Sequence, residues 1–531
     1  MNNARRHTPI VFLLSLCLGS AGCNSDPVIT FGPRGSLVTA AGKGGFRFGT
    51  ASSATQIEDQ NPNTDWYHWT QAKPAGLGHD TFLGDAARGY TLALADVERA
   101  ADLGLDALRF SVEWARLEPT PGQYDETAFA HYGALIDALL ARGIRPMITL
   151  HHFTWPRWVS DPSKTDCAAQ GPQDDNLCGL ETEAGYLRLA AAMSKVVAEM
   201  ARRWGDRVDE WYTLNEPVNY VLAAYGAGQF PPARMYIFDF AKLMPIFRRY
   251  FDLHARLAKS LRDNDTLDAD GDGRATAIGL GLSLHSWVPA RKGRRSEHPD
   301  DIAARDLVNY IMREAPIRFL TEGGFDPDLD GVLDEPQPSW RNTLDWIGVQ
   351  TYFRSGVTAD RALIPELGLT FCFAEGSDFG LGACIPAEDP SYNVPAMGYA
   401  WGPGILEENL LALAARFPDI PLVVTENGIA AQESRRRSEV MVRSLEEIAN
   451  AQRAGVDVRG YYHWTLVDNF EWNLGYTPRF GLYRVERSDF SRTPTHAVET
   501  YQKITRARGL PSTLRHDLGG AGPLTPPAAS P

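Results

Sequence analysis

The chain has 531 residues, of which 44% are hydrophobic, enough to build a folded core and too many for a chain disordered throughout. Its net charge of −14 argues against nucleic acid or an anionic membrane face as a partner. The length fits several ordinary domains or one α/β barrel with long loops, because such barrels can exceed about 400 residues.

The first residues carry an address. Arg5 and Arg6 precede an apolar run, Ile10 to Leu18, which ends in the small residues Gly19 to Gly22. Residues 1–22 therefore read as a secretory signal, too short for a membrane-spanning helix of about 20 apolar residues. Ser20-Ala21-Gly22-Cys23 resembles a bacterial lipoprotein cleavage box, with Ser20 where Leu is usual. Two readings stay open: a lipid on Cys23, the one route by which the chain would reach a membrane, or plain secretion with Cys23 incidental. Either way the protein is expected to be exported. Residues 23–44 read as a flexible tether, and residues 509–531, rich in Pro and small residues, as a disordered tail. Apart from Cys17 and Cys23, the cysteines fall in two local pairs, Cys167/Cys178 and Cys372/Cys384. Each pair sits in a Gly/Pro/Asp-rich loop, and in an oxidising compartment two disulfides are expected. A four-cysteine zinc site would need C-x-x-C spacing, which is missing.

Between residues 45 and 508, short apolar runs alternate with stretches of helical period. The runs are Phe46–Ala51, Ala107–Val112, Arg145–Leu150, Glu210–Leu214, Ala277–Leu282, Leu344–Gln350, Leu422–Thr425 and Val458–Trp464. Helical patterns between them include Leu92–Leu103, Ala128–Arg142, Ala184–Trp204, Phe238–Arg262, Ile302–Leu320, Ile405–Phe417 and Arg435–Ala454. This alternation predicts a single (β/α)8 barrel, the TIM-barrel member of the α/β class, with long βα loops. In that fold reactive groups sit at the C-terminal ends of strands, so the residues where each apolar run stops are the candidates.

The fourth run stops at Thr213-Leu214-Asn215-Glu216-Pro217 and the seventh at Thr425-Glu426-Asn427-Gly428, which brings two glutamates to one barrel mouth. These motifs resemble the acid/base and nucleophile signatures of family 1 glycoside hydrolases, the β-glucosidase/β-galactosidase family, over about residues 45 to 508. Other strand ends agree with the resemblance. Gln56, after the first strand, is similar to a sugar-contacting Gln; Arg109, in the second, to the Arg beside the nucleophile; and His152, after the third, to a hydroxyl-binding His. The sixth strand ends Gln350-Thr351-Tyr352, where the family usually has Asn-x-Tyr; Tyr352 matches and Gln350 departs. The eighth ends in Trp464-Thr465-Leu466-Val467-Asp468-Asn469-Phe470-Glu471-Trp472, close to the family's W-S-L-x-D-N-F-E-W. Asn61 to Tyr67 is similar to the archaeal-type branch, whose members accept gluco-, galacto- and fuco-configured sugars.

The resemblance implies a retaining β-glycosidase acting on small-molecule or oligosaccharide β-glycosides, with no cofactor in catalysis. Glu426 would attack the anomeric carbon, while Glu216 would protonate the leaving oxygen and then activate water. Arg109 and Tyr352 would hold Glu426, and Asn215 would bind the neighbouring hydroxyl. Trp464 and Trp472 would give the sugar an apolar face. A carboxylate at Glu471 would accept from two hydroxyls and repel a sugar phosphate, which favours neutral sugars. The alternative, an inactive sugar-binding or receptor protein on the same barrel, would be expected to have lost a catalytic Glu, and both are present. Finally, Asp268/Asp270/Asp272 and Asp326/Asp328/Asp330 begin loops of the D-x-D-x-D-G type. They read either as structural calcium candidates or as solvated turns, for Gly279 and Gln337 stand where a calcium loop has its twelfth-position Glu.

Overall fold

A computed structural model describes residues 28–165, 167, 177–360, 362–372 and 384–528. The signal segment and Cys23 lie outside them. The apolar runs form parallel strands β1 Arg47–Ala51, β2 Ala107–Ser111, β3 Arg145–His151, β4 Glu210–Asn215, β5 Ala277–Ser283, β6 Trp346–Thr351, β7 Leu422–Asn427 and β8 Val458–Trp464. They close as an eight-stranded barrel in chain order, β8 pairing back on β1. Apart from Arg145, every residue in them is buried, which is why the runs read as continuously apolar rather than alternating. Around them pack α1 Ala93–Asp102, α2 Glu126–Ala141, α3 Glu183–Trp204, α4 Phe240–Asn264, α5 Pro299–Asn309, α6 Ile405–Arg416, α7 Ser434–Arg453 and α8 His496–Ala507. Capping fixes several starts. Asp125 accepts from the Thr127 and Ala128 amides ahead of α2, and Thr182 accepts from Gly185 ahead of α3.

Large rings fill the barrel interior where glycine leaves room. A Cβ at Gly281 would collide with the Tyr212 hydroxyl, and one at Gly279 with the Trp346 indole. Below them Arg47 and Glu210 form a buried ion pair. The mouth is built up by a small sheet in which Ser286–Arg291 pairs in parallel with Arg354–Thr358. Thr370–Cys372 extends that sheet, and both expected disulfides, Cys167–Cys178 and Cys372–Cys384, are formed.

Three expectations need correction. The helix expected over Ile302–Leu320 stops at Asn309, widens into a π turn at Tyr310–Glu314, and resumes at Ala315–Arg318. Pro316 is the reason, because it has no N–H to give the preceding turn. The tether is not flexible from residue 28 onward. Ile29–Thr30 pairs antiparallel with Gly509–Leu510, and Phe31 stacks on Phe46 at 4.4 Å.

Nor is the tail disordered between residues 509 and 528. Ser512–Leu518 is a helix, with Leu514, Leu518 and Leu524 buried. The physical cause lies in α7, whose arginines look solvent-facing in sequence. Arg443 donates to the carbonyls of Leu518 (3.2 Å), Gly522 (2.6 Å) and Pro523 (3.1 Å), and Arg436 to that of Thr525 (2.7 Å). A Pro-rich strand offers its carbonyls freely, so composition alone misreads such a tail. Truncation after Leu510 would uncover three leucines and strand these guanidiniums. The thermal midpoint should fall by about 5 °C or more in scanning calorimetry. An unchanged midpoint would mean that the tail adds nothing to stability.

Candidate active site

The mouth of the barrel gathers the polar residues that end its strands. From β2, the fully buried Arg109 lies with its guanidinium 3.9 Å from the centre of the Tyr212 ring. Its Nε donates to Thr149 (2.9 Å), its Nη1 to Glu426 Oε1 (2.6 Å) and its Nη2 to Asn215 Oδ1 (2.6 Å). Gln350, from β6, repeats the bridge. Its amide donates to the same Glu426 oxygen (2.7 Å), to Asn215 Oδ1 (2.7 Å) and to the Tyr212 hydroxyl (3.0 Å). The Tyr352 hydroxyl donates to the other Glu426 oxygen at 2.7 Å. Glu426 is thus clamped through both oxygens by Arg109, Gln350 and Tyr352. Gln350, which stands where the family usually has Asn, reaches Glu426 and Asn215 together.

Glu216 follows β4 in left-handed backbone, φ 41°, with its amide donating to Gly281 O at 3.0 Å. Asn219, one turn on, donates to its Oε2 at 2.8 Å, and the Ser283 hydroxyl makes a further hydrogen bond to the carboxyl. His285 Nε2 lies 3.0 Å from Ser283 Oγ and its ring stacks on Phe353 at 3.6 Å. Sequence reasoning missed Asn219, Ser283 and His285. The only signal for the last two was a polar pair at the end of the apolar run of β5.

The two carboxyls have different electrostatics. Burial, and next the charge of Glu426, push the Glu216 carboxyl up to about 8. Burial lifts Glu426 too, but the Arg109 charge and the hydrogen bonds from Tyr352 and Arg109 oppose it. Nearby Glu471 is pushed up to about 8 by burial and by the Glu426 and Glu216 charges. Gln56 Nε2 lies 3.4 Å from the Glu471 carboxyl and donates to the Phe470 carbonyl at 2.9 Å.

His152 sits 3.2 Å from Asn215 Nδ2, its ring near-parallel to Trp464 at 5.8 Å and to Trp472 at 6.0 Å. Burial, then Arg109, hold it far below the ordinary histidine pKa, so the ring is neutral. Gln56 Oε1 and His152 Nδ1 are buried polar atoms with no hydrogen-bond partner, which makes both available to a hydroxylated ligand. Gln56, Arg109, His152, Asn215, Glu216, Tyr352, Glu426, Trp464, Glu471 and Trp472 therefore all lie about the one mouth. The loop after β6 adds Tyr399, a buried phenol raised well above its usual range by burial and then by Glu471 and Glu216. The two aspartate clusters stand apart from this group.

The model of a family described as glycosyl hydrolase family 1 matches residues 40–170 and 188–510. A β-galactosidase of Pyrococcus woesei is 27% identical over 520 residues, spanning 89% of this chain and 98% of the relative. A bifunctional β-D-glucosidase/β-D-fucosidase of Bifidobacterium breve is 28% identical over 499 residues, 87% of this chain and 97% of that protein. Among solved structures, a β-glycosidase from Pyrococcus horikoshii superposes with a TM-score of 0.72 at 27% identity, covering 91% of this chain and 98% of that one.

If the charge of Glu426 lifts Glu216, removing it in Glu426→Gln should return the Glu216 carboxyl toward the ordinary carboxylate range. Carboxyl ¹³C NMR titration of the two proteins reads this directly. An unmoved Glu216 titration would show that burial alone sets it.

Proposed function

The chain belongs to glycosyl hydrolase family 1, and we propose that within it the chain is a retaining β-glycosidase for neutral β-linked glucosides, with galactosides and fucosides as further substrates. The observation that carries this reading is the opposition between two carboxyls at one mouth: Glu426 clamped by Arg109, Gln350 and Tyr352, and Glu216 lifted to about 8. A nucleophile must be ionised and aligned, and an acid must keep its proton at neutral pH; this is the assignment such environments favour.

In the first step a carboxylate oxygen of Glu426 attacks the anomeric carbon while Glu216 gives its proton to the glycosidic oxygen. The bond to the aglycone breaks and a glycosyl ester on Glu426 forms. Esterification removes the Glu426 charge that helped to raise Glu216, so Glu216 stays a carboxylate at neutral pH and is ready to act as a base. In the second step it takes a proton from water, whose oxygen attacks the anomeric carbon. The ester breaks, Glu426 is released as carboxylate, and Glu216 is again protonated. Two inversions give net retention. Asn215, held by Arg109 and Gln350, presents its amide to the hydroxyl beside the anomeric carbon. Arg109 keeps its charge throughout.

Glu471, beside Gln56, is assigned the distal hydroxyls, with Trp464 and Trp472 beneath the sugar. The named activities of the Pyrococcus and Bifidobacterium relatives support a neutral sugar of gluco, galacto or fuco configuration. Export, as a lipoprotein through Cys23 or by plain secretion, is supported by the residue 1–23 pattern and by the disulfides Cys167–Cys178 and Cys372–Cys384.

The substrate assignment is tested on an aryl β-glucoside. Wild type should hydrolyse it with retention, and Glu471→Ser should lose kcat/KM by about 10²–10⁴, the scale of two sugar hydroxyls left without their buried hydrogen-bond partner. Part of the loss should fall on kcat, since remote hydroxyl contacts also position the anomeric carbon. Wild type should reject the 6-phosphoglucoside. Efficient turnover of that phosphate, or full activity in Glu471→Ser, would overturn the neutral-sugar reading.

A further inference from the structure

Between α4 and β5 lies the loop Asp268-Ala269-Asp270-Gly271-Asp272-Gly273. Its spacing resembles the start of a calcium-binding loop, but Gly279 stands where such a loop has its last carboxylate. The fold brings a carboxylate from another element instead. Asp209, which immediately precedes β4, places a carboxylate oxygen within 4.8 Å of one from Asp268 and one from Asp270. Asp209 is only 5% exposed. Its Oδ1 accepts from the Ala269 amide at 2.9 Å, whereas its Oδ2 is buried with no hydrogen-bond partner. A buried carboxylate oxygen without a donor is unfavourable unless a proton or a positive charge meets it.

The nearby arginines do not fill that role. Arg47 forms its ion pair with Glu210, and within this cluster Arg47 and Arg145 approach Asp270 Oδ2, at 3.9 and 3.7 Å. The other motif makes the contrast. Loop amides hold both leading aspartates, Asp268 through Gly271 (2.7 Å) and Gly273 (2.8 Å) and Asp326 through Gly331 (2.8 Å) and Asp330 (3.3 Å), with the Tyr310 hydroxyl (2.6 Å) also on Asp326; the difference is Asp209 Oδ2, for no oxygen of the second cluster is buried and unpartnered.

We propose that Asp209, Asp268 and Asp270 bind one calcium ion. The donors are all carboxylate oxygens, which suit a hard cation and give zinc none of the nitrogen or sulfur ligands it favours. Oxygens bound to a single calcium at about 2.3–2.6 Å are at most about 5 Å apart, a span these three already meet. Calcium takes six to eight oxygens in loose geometry, so waters and loop carbonyls complete its shell, where magnesium would demand a near-ideal octahedron. The ion would tie the turn before β4 to the loop before β5. Through Asp272, which accepts from Ser36 Oγ at 2.5 Å, it would also hold the N-terminal arm. Its place at the N-terminal ends of the strands, away from Glu216 and Glu426, makes it a structural ion.

The test uses the full chain, freed of metal with a chelator and titrated with calcium chloride by calorimetry and thermal unfolding. Saturable binding with Kd of about 10⁻⁴–10⁻³ M, the range of extracellular calcium modules, should raise the midpoint by a few degrees. Hydrolysis of an aryl β-glucoside at 25 °C should be unaltered by the ion. Asp209→Asn, nearly isosteric, should weaken binding at least tenfold although the loop sequence is intact. If that variant loses its far-UV circular dichroism, Asp268→Asn, at an exposed position, should show the same weakening. The double variant Asp326→Asn/Asp328→Asn should bind as wild type. The proposal falls if no heat and no midpoint shift are seen up to ~10 mM calcium, or if Asp209→Asn or Asp268→Asn binds undiminished.

Discussion

One guanidinium sets the geometry on which the mouth of this barrel depends. Arg109 is fully buried, and it joins Glu426 on β7 to Asn215 on β4, at 2.6 Å in each case. A buried cation is tolerable only if its donors are satisfied, and here the partners are Thr149, Asn215 and Glu426, with the Tyr212 ring against its face. The dependence runs in the other direction too. Without Arg109, Glu426 would be a buried carboxylate close to two more, Glu216 and Glu471, and all three would tend to keep their protons. The single positive charge lets one carboxyl of the group be anionic, and geometry directs that role to Glu426 while its neighbours are pushed to about 8.

The frame that holds this arrangement is rigid for reasons that lie below it. Tyr212 fits beside Arg109 only because Gly281 has no side chain, and Trp346 fits because of Gly279. Beneath them Arg47 and Glu210 close the interior with a buried pair. The two ends of the described chain add to the frame. Ile29–Thr30 pairs with Gly509–Leu510, and the segment that follows lies along α7, its carbonyls taken by Arg436 and Arg443. The polar groups of the mouth thus stand on strand ends, while the loop sheet above it carries Phe353 and Tyr399, whose rings stack at 4.9 Å.

The barrel could be read from sequence because its strands are buried on both sides and interrupted at regular intervals by helical periods. The residues that end the strands were legible for the same reason, since a polar group at the end of a buried parallel strand stands at the mouth of the barrel. Legibility failed where a segment's fate depends on contacts remote in sequence. Arg436 sits in a run, Ser434-Arg435-Arg436-Arg437, that looks solvated, yet the tail covers it. Pro316 was visible, but its effect on α5 hinges on whether a wider turn can pack. Asn219 and Ser283 belong to no recognisable pattern: Asn219 reaches Glu216 because a helical turn follows β4, and Ser283 becomes its neighbour only when β4 and β5 pair. Asp209 is a similar case, an ordinary aspartate in sequence that folding brings to a loop on the far side of α4.

In the proposed reaction Glu426 carries the sugar and Glu216 the proton. The most direct measurement is mass spectrometry of the intact and digested protein after reaction with a 2-deoxy-2-fluoro-β-glucosyl fluoride, whose glycosyl ester turns over slowly. One sugar per chain is expected, on the peptide containing Glu426, lost again on long incubation with an acceptor. A label on Glu216, or turnover of the reagent with no covalent adduct, would contradict it.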